Sequence, residues 1–147
     1  IGRSNRLTIE ATVIAGNECR ENAGVCNTIS MSGATNYLRM RHVTMADNRS
    51  PNIASPSQEI SIHPSAPGDA DVQIRSSVIE PMTGDHMFSA NDPSIFNTDC
   101  VMGPGPFPNS TRSLLQTPPF AFVARAALDY RPADGDPSTI SSTTTAP

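Results

Sequence analysis

Apolar and polar residues along this chain fall into a pattern that recurs. In Leu38-Arg39-Met40-Arg41-His42-Val43-Thr44-Met45 they alternate, slip by one residue at His42, and then alternate again. Stepping back 31 residues gives Leu7-Thr8-Ile9-Glu10-Ala11-Thr12-Val13-Ile14, and stepping forward 34 gives Val72-Gln73-Ile74-Arg75-Ser76-Ser77-Val78-Ile79. The first two copies also end alike, on Asn17 and Asn48. Period-two alternation predicts strands with one buried and one wet face. A slip of one residue sends every later side chain to the other face, so Val43 and Met45 stay inside only if the chain bends tightly at 41–42. The expected inward sets are Leu7, Ile9, Thr12 and Ile14, then Leu38, Met40, Val43 and Met45, then Val72, Ile74, Ser77 and Ile79. A degraded fourth copy, a further 23 residues on, places Ile95, Asn97, Cys100 and Met102 inside. A shorter strand repeats at the same 31-residue step, as Ile29-Ser30-Met31 and Ile60-Ser61-Ile62.

Short strands at such a period, with no helical pattern, predict an all-β solenoid in which each turn stacks on the last. Parallel stacking sets equivalent residues about 4.8 Å apart. Ile14, Met45, Ile79 and Met102 are then expected to form one column. The alternative is a β-sandwich whose strands are alike by accident.

The phrases LRMRHVTMADN and VQIRSSVIE resemble the rungs of right-handed parallel β-helix proteins. The last third, with Leu114-Leu115-Gln116-Thr117-Pro118-Pro119-Phe120, Phe122-Val123 and Asp129-Tyr130-Arg131-Pro132-Ala133-Asp134-Gly135-Asp136-Pro137, resembles the closing segment of secreted choice-of-anchor type β-helix domains. The resemblance implies a right-handed, single-stranded parallel β-helix of about three to four coils. A capping segment at 114–137 would close it. The β-helix domain would span 1–137 as a portion of a longer solenoid, and 138–147 would be a Ser/Thr-rich tail or linker. Members of that family often carry Asn at the bend, where this chain has Ala11, His42, Ser76 and Asp99. Asp136-Pro137 stands where the family has Ser-Pro.

At 147 residues the chain fits one domain. Fourteen prolines and no tryptophan suit short strands and many turns. A formal charge of −4 argues against a nucleic-acid partner, which needs a basic face. No apolar run is long enough for a transmembrane segment. The first rung follows almost at once from Ile1, so its edge and apolar residues need a cover. Another protein chain or upstream coils would supply it at Ile1 to Ile14; the alternative is that residues 1–6 fold over it.

Cys19 and Cys26 bracket a polar loop and are expected to pair as a disulfide. Cys100 reads as a buried small residue. The stretches 49–58, 64–70 and 103–112 are loops by composition, and Asn109-Ser110-Thr111 is a glycosylation-acceptor sequence. Residues 119–128 carry Phe120, Phe122, Val123 and Leu128, enough apolar surface to lie over the open end of the last coil.

Two candidate chemistries follow. On the outward strand face, Arg39, Arg41 and Arg75 fall in neighbouring columns with Glu10, a potential ligand-binding patch for carboxylates or acidic polysaccharide. Asp85, His86 and Asp92 cluster before the fourth copy and are the catalytic candidates of an enzymatic reading. His42, His63 and His86 lack metal-ligand spacing, so no metal and no cofactor is expected. The leading expectation is a non-catalytic extracellular or cell-surface module with a structural, adhesive or assembly role, its secretion inferred from the resemblance. The alternatives are a polysaccharide-active lyase or glycoside hydrolase, or a fragment of one, and an accessory subunit of a larger surface complex.

Overall fold

The computed structural model describes residues 4–18, 27–49, 58–66, 68–80, 88–90, 92–104, 107, 109–110, 114–115 and 120–132. The chain is all-β. Long strands β1 (Ser4–Ala15), β3 (Thr35–Ala46), β5 (Ala70–Ile79) and β7 (Phe96–Gly103) alternate in sequence with short strands β2 (Asn27–Gly33), β4 (Gln58–Pro64) and β6 (Phe88–Ala90). The long strands form one parallel sheet in the order β1-β3-β5-β7, extended by β8 (Leu114–Leu115). The short strands form a second parallel sheet, β2-β4-β6. A third, antiparallel pair joins β9 (Phe122–Ala124) to β10 (Asp129–Pro132).

The register follows the repeat. Leu7 lies beside Leu38 and Leu38 beside Val72, and Ile14, Met45 and Ile79 form one row. In the short sheet Ile29 pairs with Ile60, and Ile60 with Phe88. The core is the set of side chains between the two sheets; Leu38, Met45, Ile60, Ile62, Ile74 and Ile79 are fully buried in it.

The fourth copy departs from expectation by one residue. Val72 pairs with Phe96, Ile74 with Thr98 and Ser77 with Val101, a step of 24 (72 to 96) rather than 23. A 3-10 turn at Pro93–Ile95 uses up Ile95, and Phe96 takes the inward place, stacked on Phe88 at 4.6 Å. Thr98 and Val101 are therefore buried where Asn97 and Cys100 were expected, Asn97 is exposed, and Met102 sits beside Val78 instead of Ile79.

The bend is a single left-handed residue in each long strand: Ala11 (φ 47°), His42 (φ 54°), Ser76 (φ 48°) and Cys100 (φ 52°). The fourth bend residue is thus Cys100, not Asp99. Left-handed backbone costs an L-residue roughly 1–2 kcal/mol, so each bend is held by what surrounds it. Pairing lapses between Arg41/Arg75 and Thr44/Val78. There the Val43 N–H donates instead to Ser77 Oγ (3.2 Å), which itself donates to the Arg75 carbonyl (2.8 Å). Thr12 repeats the second contact with Glu10 at 2.7 Å.

In the segment after β8, Arg125 forms ion pairs with Asp47 and Glu80, just after β3 and β5. At the opposite edge β1 has no second neighbour among the described residues, leaving Leu7 37% and Val13 55% exposed.

Because His42 is exposed and its cost is purely conformational, His42→Gly should leave stability unchanged or raise it by up to about 1 kcal/mol. His42→Val, β-branched at positive φ, should lower it by about 1–2 kcal/mol. Urea unfolding of the two variants measures both.

Candidate functional site

Three polar constellations stand outside the apolar core. The first is the outward face of β1, β3 and β5. The register sets Thr8, Arg39, Gln73 and Asn97 in one row and Glu10, Arg41, Arg75 and Asp99 in the next. A cavity of about 240 Å³ opens between Thr8, Glu10, Arg39, Arg41, Gln73 and Arg75. The three arginines are not equivalent. Arg39 is a brace: its Nη2 pairs with Asp71 Oδ2 at 2.6 Å, and its Nη1 donates to the Leu38 and Asp71 carbonyls at 3.1 Å. Arg41 and Arg75 are exposed neighbours with no hydrogen bond or ion pair among the described residues. Like charges directly opposite one another in a sheet are destabilising, and an oxyanion between them would relieve the repulsion.

The second constellation is a pair of amide ladders at the two ends of β1 and β3. Asn5 Nδ2 donates to Asn36 Oδ1 at 2.9 Å and to the Ser32 carbonyl at 2.7 Å. Asn17 gives both its Nδ2 (2.8 Å) and its backbone N–H (3.2 Å) to Asn48 Oδ1. Asn48 Nδ2 in turn reaches the Ile14 carbonyl at 3.1 Å. The resemblance to β-helix rungs implies amides at the bend. Here they stand at the strand ends, and their signal was the 31-residue spacing of Asn5 with Asn36 and of Asn17 with Asn48.

The third is a carboxylate cluster where β3 and β5 end. Arg125 clamps two acids: Nη1 pairs with Asp47 Oδ1, and Nη2 with Glu80 Oε2 at 2.8 Å and the Phe120 carbonyl at 2.9 Å. Tyr130 Oη donates to Asp47 Oδ2 at 2.8 Å, and the Arg125 guanidinium lies 4.8 Å from the Phe122 ring centre. Burial opposes the Arg125 charge, but Glu80 and then Asp47 outweigh it and hold its pKa above the usual value. The hydrogen bond to Asp47 raises the Tyr130 phenol, with burial adding to it.

Glu59, at the start of β4, is fully buried. Burial pushes its carboxyl up to about 7, against opposing donors at Thr28 and Asn48 and with help from Glu80. Its Oε2 accepts from Asn48 Nδ2 at 3.3 Å, whereas Oε1 and the Thr28 Oγ1 lack well-formed partners. A proton on Oε1 makes it a donor toward that hydroxyl, which is the physical reason the neutral acid suits the site.

The catalytic candidates do not assemble among the described residues. Asp85 and His86 lie outside them. Asp92 shapes the 3-10 turn: its Oδ1 accepts the Ser94 N–H at 2.9 Å, and hydrogen bonds from the Ser94 side chain and backbone lower its pKa. The expected disulfide residues Cys19 and Cys26 also lie outside the described residues, and Cys100 is a free thiol at the fourth bend. Among the described residues no group of His, Cys, Asp and Glu could hold a metal ion, and no helix is long and apolar enough to cross a membrane. The chain matches no protein-family model, no curated protein and no solved structure.

Glu59 dictates a pH dependence. Below about pH 4.5 the acid is protonated folded or unfolded. Between about 4.5 and 7 only the unfolded chain releases the proton, so stability falls as pH rises through that window and levels off above it. The loss should be about 3 kcal/mol. Glu59→Gln should remove most of this slope in urea unfolding across pH 4 to 8 (set in roughly unit steps).

Proposed function

We propose that this chain is a right-handed parallel β-helix acting as a non-catalytic extracellular or cell-surface module with a structural or assembly role. The winding is supported by the alternation of long and short strands between two parallel sheets. A connection that leaves β1, crosses to β2 and returns to β3 beside its start encloses a core, and parallel crossovers are right-handed almost without exception. The observation that carries the assembly role is the β1 edge, which has no second neighbour among the described residues and leaves the inward Leu7, whose counterpart Leu38 is fully buried, 37% exposed. Soluble proteins blunt such edges unless something pairs with them. Catalysis finds less support. Asp47 and Glu80 converge, but their charges are taken up by Arg125 and Tyr130, and Glu59 is sealed from solvent.

The reading predicts a partner at one edge. A photoreactive side chain placed at Val13 on the native surface should couple to one discrete neighbour, with the adduct mapping to a strand of it. The same probe at Asn97, on the outward face of β7, should not. Equal coupling at both positions, or none at Val13, would remove the assembly role.

Arg41 and Arg75, with no ion pair among the described residues, favour a second reading, contact with an acidic polysaccharide. Retention on an immobilised polyuronate should then fall at least about fivefold in Arg41→Gln/Arg75→Gln. Retention unchanged in that double variant would exclude it.

A further inference from the structure

The two amide ladders are open at one end, and the direction of their hydrogen bonds says what closes them. Each bond runs from β1 toward β3: Asn5 gives its amide N–H to Asn36, and Asn17 gives its own to Asn48. The side-chain oxygens of Asn5 and Asn17 therefore have no donor among the described residues, while those of Asn36 and Asn48 are filled. Between these two acceptors run the exposed Leu7 and Val13, the half-buried Ile9 and Ile14, and the backbone edge of β1 that has no second neighbour among the described residues. A cavity of about 560 Å³ opens beside it, lined by Ser4, Asn5, Arg6, Leu7 and the adjacent Ser30–Ser32.

We infer that β1 is the docking edge for a parallel β-strand that carries two asparagines twelve residues apart, each donating its side-chain N–H to Asn5 or Asn17. The spacing is that of Asn5 to Asn17 and of Asn36 to Asn48. The strand must run parallel and in register: the asparagines lie symmetrically about the bend at Ala11, but the inward positions fall four and two residues before it (Leu7, Ile9) and one and three after it (Thr12, Ile14), an order that a reversed strand would not match. Its inward residues between the asparagines must be apolar, so as to cover Leu7, Ile9 and Ile14.

A second copy stacked head to tail does not meet this requirement. The edge it would present is β7, extended at its end by the two-residue β8; the asparagine of β7, Asn97, aligns through Gln73 and Arg39 with Thr8 and not with Asn5, and β8 carries none. Asn36 itself faces Ala70, so the ladder at the strand start already stops at β5. The partner is a strand of different sequence with the chemistry of β3. This inference rests on the proposed assembly role and adds what the partner strand must carry.

The probe is a synthetic peptide copying Thr35–Asn48, titrated into the intact chain. It should bind saturably, and a version with Asn36→Asp and Asn48→Asp, which keeps the acceptors but loses the donors, should bind at least about tenfold more weakly. A spin label on the peptide's N-terminus should broaden the amide signals of Ser4–Leu7 and spare those of Val13–Ala15. Equal affinity of the two peptides would overturn the amide code while leaving the edge as a docking surface. Broadening at Val13–Ala15 would overturn the parallel register. Absence of binding by either peptide would overturn the inference and the assembly role together.

Discussion

In-register parallel pairing is the constraint from which the other features follow. Each residue of β1, β3 and β5 faces its own counterpart about 4.8 Å away, so every position is in effect asked whether it tolerates itself. Apolar residues do, and the row Ile14, Met45, Ile79 results. Amides do, because one side chain offers both a donor and an acceptor and can pass a hydrogen bond along. Hydroxyls do, as the aligned Ser30 and Ser61 illustrate. Charges do not, and Arg41 opposite Arg75 is, among the described pairs of that sheet, the place where two adjacent strands oppose like charges. Glu10 on one side and Asp99 on the other bound that row with opposite charge, which limits the repulsion without pairing it away.

The same geometry explains why the polar interior is concentrated at strand ends. Where β3 leaves the sheet, backbone groups lose their ladder partners, and side chains must replace them. Asn48 does so for the Ile14 carbonyl and reaches on to Glu59. Glu59 is consequently trapped between an amide, a hydroxyl and the nearby Glu80, and a second buried negative charge beside Glu80 is unfavourable. Arg125 then meets both Asp47 and Glu80 from the C-terminal hairpin. A segment far along the chain is thus pinned to the ends of β3 and β5 by charge, with the Phe122–Tyr130 edge contact packed beneath it.

Most of the strand architecture was legible because burial on one face and exposure on the other leave a period of two, and the slip at His42 could be satisfied only by a bend. The short strands were legible for the same reason. What escaped was local. Ile95 looks inward by count, but Pro93 and Asp92 favour a turn, and the turn moves the whole fourth register by one residue. No apolar pattern encodes such a shift. The amide ladders were half legible: Asn17 and Asn48 stood out as a shared ending, whereas Asn5 and Asn36 sit among other polar residues. The Arg125 clamp left no periodic trace at all, since a salt bridge between distant segments depends on where loops return. Arg39 illustrates the remaining gap, because register alone set it beside Arg41 and could not tell that Asp71 already holds it.

An exposed apolar strand is by itself a hazard, able to pair with any chain that has a free edge. In the proposed docking, what makes β1 selective is that its hydrogen-bonding side chains are polarised. An arriving strand with carboxylates or no amides at the two ladder positions would leave the Asn5 and Asn17 oxygens unpaired within a newly desolvated contact, and unmade hydrogen bonds cost more than made ones contribute. Arg6, held over the Tyr37 ring at 5.3 Å, and Glu10 add opposite charges along the same strand that discourage a second, shifted register. In the proposed docking, apolar contact supplies the attraction at this edge, the two asparagines select which strand can use it, and the uneven spacing of the inward apolar residues about the bend sets its direction.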